Sequence, residues 1–168
     1  MQAERIFGAD DTIVAPATPT GGAICIVRLS GPRAIELCDG IFDGRGSLTD
    51  AATATVHYGN IVDGDEAIDD VLVAVFRAPH SYTGEDSVEI SAHGSSYVVG
   101  RILSLLVSHG ARAAEAGEFT RRAFMNSRMD LSQAEAVADI IASDSRASHA
   151  IAATQMRGGY SEELRALR

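Results

Sequence analysis

Apolar residues change their spacing several times along this chain, and each change marks an element. Residues 11–22 join a short apolar piece to a loop rich in proline and glycine. Ala23 to Leu29 is apolar on both faces except at Arg28, the pattern of a buried strand. Ser30 stands where a helix cap belongs, with Pro32 near the first turn and Ile35, Cys38 and Ile41/Phe42 at helical spacing. Residues 43–52 read as a loop. Thr53 to Val62 and Ile68 to Ala78 are both strand-like, and Asp63-Gly64-Asp65-Glu66 between them predicts a hairpin. Pro79 closes the second of these strands.

A turn signal, Tyr82-Thr83-Gly84, then leads into a short alternating segment, Ser87 to Ala92. Ser95 or Ser96 starts a helix carrying Val98, Val99, Ile102, Leu103, Leu105 and Leu106, which Gly110 ends. Ala111 to Ala114 reads as one more short strand. After Gly117 the texture changes: residues 119–157 hold no strand signal and many alanines. Phe119 to Met125 predicts a short helix. Asp130 or Ser132 caps a longer one, with Gln133 or Glu135 as capping-box partner and a rough stripe from Leu131 to Ile151. Gly158-Gly159 bends or weakens it, and Ser161 to Arg168 resumes as a helix. The pattern predicts an α+β fold. A mixed or antiparallel sheet with two packed helices spans 1–118, and an α-helical segment spans 119–168.

A helix with an apolar stripe needs something to pack on, since most helical stability comes from that packing. The last helix therefore implies partner helices downstream, as expected of the N-terminal part of a larger protein, or of a chain whose tail other chains cover.

Composition narrows the function. At 168 residues and 46% apolar, the chain can bury a core, and no apolar run is long enough to span a bilayer. The N-terminus lacks the order of a secretory signal, which makes the cytoplasm the expected compartment. Net charge is -9, and all 14 basic residues are arginine. That is a poor electrostatic footprint for nucleic acid, so any RNA backbone is held mostly elsewhere. A chain without lysine cannot form a standard phosphate-binding P-loop. Cys25 and Cys38 lie in apolar contexts far from any metal spacing and read as buried free thiols. No metal site, and no nucleophile paired with a base, can be named. Of five dispersed histidines, His93 before Gly94 is the most suggestive, though an ordinary turn or core role suits it better. Taken alone, the residues favour a binding module over an autonomous enzyme.

The candidate chemistry centres on Glu89, inside the segment that follows the Tyr82-Thr83-Gly84 turn. A carboxylate between Val88 and Ile90 must be exposed, paired or used, because an unpaired buried charge costs several kcal/mol. Its bland reading is a solvent-facing residue or a structural salt bridge. Arg28 has a matching one, as the partner of an acid on a neighbouring strand.

Three separated segments carry a resemblance. They are Asp11-Thr-Ile-Val-Ala-Pro-Ala-Thr-Pro19 with Gly21-Gly22 and Ile26-Val-Arg-Leu-Ser-Gly31; Ser81-Tyr-Thr-Gly-Glu-Asp86 with Glu89 and His93-Gly94; and the long run from Ala116-Gly-Glu-Phe through Asn126-Ser-Arg-Met-Asp-Leu131 to Asp139. The chain resembles the N-terminal region of the tRNA modification GTPases called MnmE or TrmE, in register from about residue 11 onward. The resemblance implies an N-terminal domain similar to the folate-binding domains of glycine-cleavage T-protein relatives. It implies that residues 1–118 bind folate and dimerise, and that 119–168 begin a central helical domain, before an inserted GTPase domain. It also implies a flavoprotein partner, MnmG (GidA), with which family members install aminomethyl or carboxymethylaminomethyl groups at C5 of a tRNA wobble uridine. The implied cofactor is 5-formyltetrahydrofolate or a related reduced folate. GTP, magnesium and potassium belong to the parts of the full-length protein beyond this chain.

Carried over position by position, the family's folate contacts fall on Arg28, Glu89 and Arg128. The third is a lysine in the family's Asn-x-Lys-x-Asp-Leu segment; Arg128 keeps its charge and changes its donor geometry. The loop Pro19-Thr20-Gly21-Gly22 is also shorter than the family's usual Pro-Gly-Arg-Gly-Gly. The chemistry agrees with the assignment: a pterin edge presents a ring N–H beside an exocyclic amine, which one carboxylate can accept together, and arginines suit the acidic glutamyl tail. Two other readings stand beside it. One is a free-standing folate-dependent one-carbon transferase, and the other is a structural dimerisation module that binds no ligand.

Overall fold

The computed structural model describes residues 11–143 and 145–158. It divides into two compact units, one ending at Ala116 and one beginning at Gly117.

In the first unit the described strands are β1 (Ile13–Pro16), β2 (Ile24–Ser30), β3 (Phe42–Gly44), β4 (Thr55–Asp63), β5 (Glu66–Phe76), β6 (Ser87–His93) and β7 (Arg112–Ala113). The helices are α1 (Ala34–Asp39) and α2 (Ser96–Ser108). The strands form one sheet in the order β3-β4-β5-β6-β2-β1-β7. All neighbours are antiparallel except β1 and β7, which run parallel. The α+β class and the mixed sheet expected from the sequence are therefore present.

Alternation decides which face each strand buries. Val88, Ile90 and Ala92 of β6, Cys25, Val27 and Leu29 of β2, and Val71, Val73 and Val75 of β5 all point into one core. Ile35, Leu37 and Cys38 of α1 and Val99, Ile102, Leu105 and Leu106 of α2 complete it, so both helices lie on this face. Full burial of each valine, leucine or isoleucine among them contributes about 1.5–3 kcal/mol. The intervening residues therefore share the opposite face of the sheet, among them Arg28 on β2 and Glu89 on β6. The β4–β5 hairpin turns at Gly64, whose φ of 60° is the left-handed conformation glycine adopts without strain.

Two expectations are corrected in this unit. Residues 43–52 are not simply a loop: Phe42–Gly44 pairs with β4, and Leu48–Asp50 forms a 3-10 turn. Ser30 does not cap α1, which starts after Arg33; Ser30 ends β2 and turns its hydroxyl to Thr83 and Glu85. A strand extended by one residue satisfies that backbone better than an early helix start.

The second unit contains α3 (Glu118–Met125), α4 (Leu131–Ala142) and α5 (Arg146–Met156). Asp130 caps α4 in a reciprocal box with Gln133, as its spacing predicts. The stripe read as one long helix is two. Ser143 is extended at the end of α4, and Ser145 caps α5 through Ser148. Serines compete with the helix for backbone bonds, and here two of them win. The helix expected over 161–168 lies outside the described residues.

Candidate functional site

Arg28 and Glu89 are direct cross-strand partners in the β2–β6 register, near the middle of the sheet. Their side chains meet. Arg28 Nε and Nη2 both donate to Glu89 Oε1, at 3.0 and 2.8 Å. The side chains keep 24% and 27% of their exposure, so the pair is largely desolvated yet reachable from outside. The Tyr82 ring lies against the guanidinium, with its centroid 5.1 Å from Cζ, a cation–π distance. The bland expectation for each residue, a salt bridge to a neighbouring strand, is thus realised by the two candidates on each other.

The loop that delivers Tyr82 is anchored by buried hydroxyls. Ser81 and Thr83 on either side of it are buried, as is Ser30 at the end of β2. Ser30 Oγ lies 2.6 Å from Thr83 Oγ1 and donates to Glu85 Oε2 at 2.7 Å, while Ser87 donates to the Leu29 carbonyl at 2.7 Å. These bonds fix the 81–87 segment on β2, and so set where Tyr82 stands over Arg28. A second loop closes on the far end of β6. Gly21 N–H donates to the Gly94 carbonyl at 2.7 Å, and the Gly94 N–H donates to Ala23 at 3.1 Å. The approach is so close that a Cβ on Gly94 would sit 2.1 Å from the Gly22 carbonyl oxygen. This is the physical need for glycine at position 94, whereas Gly21 answers to its own left-handed φ of 96°.

His93 sits at the end of β6, on the same face as Glu89. Its backbone N–H donates to Asp69 Oδ2 at 2.8 Å, and its Nδ1 lies 2.7 Å from Asp69 Oδ1. Asp69 thereby ties β5 to the last residue of β6, a role closer to an ordinary strand-end histidine than to catalysis. Cys25 and Cys38 are free and buried. Burial, and then the neighbouring Asp39 charge, push the Cys38 thiol far above its ordinary range. Among the described residues, no group of three or more His, Cys, Asp or Glu side chains is arranged to hold a metal ion.

Arg128 belongs to the second unit. It is exposed in the turn between α3 and α4, where its N–H donates to the Ala123 carbonyl at 2.8 Å, just after Ser127 at a left-handed φ of 58°. The same unit buries Glu118 and Arg122, one helical turn apart, with Arg122 Nη2 3.2 Å from Glu118 Oε1. A cavity of about 310 Å³ lined by Asp139, Ser143, Ser148, Ile151 and Gln155, among others, contains none of the three candidate residues.

Sequence reasoning named Arg28 and Glu89 and missed Tyr82, Ser30, Thr83 and Glu85 as their supports. The only signal was the polar run Ser81 to Asp86 lying beside the acid. Nothing in its pattern told that two of its hydroxyl residues would be buried.

The chain matches the family model for the GTP-binding protein TrmE N-terminus over residues 12–128. It is 56% identical over 162 residues to a tRNA modification GTPase MnmE of Christiangramia forsetii, covering 95% of this chain and 34% of that relative. Against the protein of the same name from Bacteroides fragilis it is 55% identical over 161 residues, 94% of this chain and 35% of the relative. For that of Cytophaga hutchinsonii the figures are 52% over 169 residues, all of this chain and 36% of the relative. The chain thus spans about a third of the length of these relatives. A family match over most of the chain, with Arg28, Glu89 and Arg128 within the matched residues or at their end, leads to one identification: the chain belongs to the TrmE (MnmE) family and corresponds to its N-terminal region.

Proposed function

We propose that this chain is the folate-holding and dimer-forming part of a tRNA modification GTPase of the cytoplasm. The observation that carries the reading is the Arg28–Glu89 pair, three-quarters buried on adjacent strands beside Tyr82, in a member of this family. The names of the relatives, tRNA modification GTPase, support the role of the whole protein. In that role it works with the flavoprotein MnmG to form 5-carboxymethylaminomethyl or aminomethyl uridine at the wobble position. GTP hydrolysis and most RNA contact belong to other domains or to the partner.

The residues present fit a reduced folate. Both bonds from Arg28 fall on Oε1 of Glu89, which leaves Oε2 to accept from a ring N–H or from an exocyclic amine. Tyr82 supplies a flat ring beside the guanidinium that holds this carboxylate. Arg128 keeps an exposed guanidinium within the second unit. When bound, the folate would supply the one-carbon unit; the chain's part is to hold and orient it. Isothermal titration of the chain with 5-formyltetrahydrofolate tests this. Binding at micromolar concentrations is expected, with Glu89→Ala weaker by roughly 10- to 150-fold. Absence of heat from a folded wild type at tens of micromolar would sink it.

One observation favours a second reading, a structural module without a ligand: Arg28 and Glu89 satisfy each other. On that reading, sedimentation shows dimers indifferent to folate, and Glu89→Ala changes stability alone.

A further inference from the structure

We infer that the Gln133 side chain is a clasp: it joins the first turn of α4 to the last turn of α5 and holds the two helices closed as a hairpin. The clasp belongs to the second unit and is independent of the folate reading above.

In the capping box of α4, the Asp130 N–H donates to Gln133 Oε1 at 2.8 Å and the Gln133 N–H donates to Asp130 Oδ1 at 2.9 Å. Such a box employs only the oxygen of the glutamine amide. Here the nitrogen is engaged as well: Gln133 Nε2 donates to the Met156 carbonyl at 2.7 Å. These partners fix which way the amide points, since an N–H faces its oxygen and a carbonyl faces its nitrogen. Met156 is the last residue of α5, and its carbonyl is one of those a helix end leaves without an intrahelical donor. The next two N–H groups, of Arg157 and Gly158, turn back to Ala153 and Gln155. One amide thus serves the start of one helix and the end of the next. Its oxygen lies at the positive end of α4 and its NH2 group at the negative end of α5, as the two helix dipoles favour.

The rest of the hairpin makes that contact count. Among the described residues of α4 and α5, the buried apolar ones are Ala136 and Ala152, each with a single methyl group to pack. Leu131, Ile141 and Ile151 stay exposed. At the turn, Ser143 is extended and residues of both helices line the cavity of about 310 Å³. Apolar packing along the pair is therefore thin, its hinge end is loosely filled, and its open end carries the polar link. An eleven-residue helix freed from its neighbour is marginal in water. Release of the clasp is therefore read as melting of α5 while α4 keeps its cap.

Gln133→Glu separates the two ends of the amide. Glutamate keeps the oxygen that accepts from the Asp130 N–H and suits the first turn of a helix, but it sets an acceptor where the Met156 carbonyl needs a donor. A residue that only caps α4 tolerates this change or gains from it, whereas a clasp is lost. Native-state hydrogen exchange, followed by NMR on the full chain at neutral pH, is the measurement. In Gln133→Glu the amides of residues 150–156 are expected to exchange about tenfold faster than in the wild type, and those of residues 134–138 at the same rate. Gln133→Met removes both ends and should speed exchange in both helices. Exchange in α5 of Gln133→Glu that is unchanged or slower overturns the inference. So does a rise shared equally by the two helices, which reflects a general loss of stability. If Gln133→Glu fails to fold, by circular dichroism, Gln133→Met decides: faster exchange confined to α4 shows a cap and no clasp.

Discussion

Replacing Glu89 and Arg28 singly and together measures what their pairing gives the fold. At 2.8 Å the contact is as short as that of the Arg33–Glu36 pair, but its side chains are 24% and 27% exposed against 50% and 62%. An exposed ion pair contributes about 0.2–1 kcal/mol, while breaking a fully buried one costs about 3–5 kcal/mol. Two charge-assisted bonds in a three-quarters desolvated setting place the Arg28–Glu89 coupling between these limits, at about 1–2 kcal/mol. Urea unfolding of wild type, Arg28→Ala, Glu89→Ala and the double variant gives the coupling directly, since the cycle cancels effects the two residues have separately. Raising the salt from 0.05 to 0.5 M should leave most of it, because partial burial limits screening; the same cycle on Arg33 and Glu36 should fade. A coupling below about 0.5 kcal/mol would refute the reasoning, since it would mean solvent reaches this pair as freely as any surface pair.

Other consequences can be checked in the same way. Gly94→Ala places a Cβ 2.1 Å from the Gly22 carbonyl oxygen, so the loop must move; a loss of about 1–3 kcal/mol in denaturant melts is expected. Asp130→Ala removes one side of the capping box on α4 and should cost about 1 kcal/mol, seen as earlier loss of helical circular dichroism on heating. Cys38 gives a pH dependence of known sign. Its folded thiol is pushed up by burial, so above roughly pH 8.5 the unfolded chain releases a proton that the folded chain keeps. Stability should therefore fall as the pH rises beyond that point, and Cys38→Ala should flatten the fall between pH 8 and 10. An equal slope in both proteins would contradict this.

How much of this was legible depends on where the deciding physics lies. The strand at Ser87–His93 and the hairpin at Gly64 could be read because a half-buried strand must alternate and a tight turn needs a left-handed residue. The box at Asp130 could be read because capping is local. The short strand Phe42–Gly44 could not, since it exists only through its pairing with β4. Nor could the break after Ala142, where the serines outweigh an alanine-rich helical pattern. At the site, resemblance named Arg28, Glu89 and Arg128, and periodicity marked Glu89 as an acid needing an explanation. That Arg28 is its partner follows from sheet order, which brings together residues 61 positions apart. The support from Tyr82 and the Ser30 hydroxyl arises from tertiary packing that no local pattern encodes.

That sheet order also governs how the site comes into being. β2 lies between β1 and β6, and the chain between β2 and β6 holds the β4–β5 hairpin, whose second strand flanks β6 on its other side. No short peptide cut from this chain can therefore reproduce the paired charges, because neither half exists in place without the other sixty residues. The paired charges are thus a property of the assembled sheet, and a spectroscopic or chemical probe placed on them would report on that assembly as a whole.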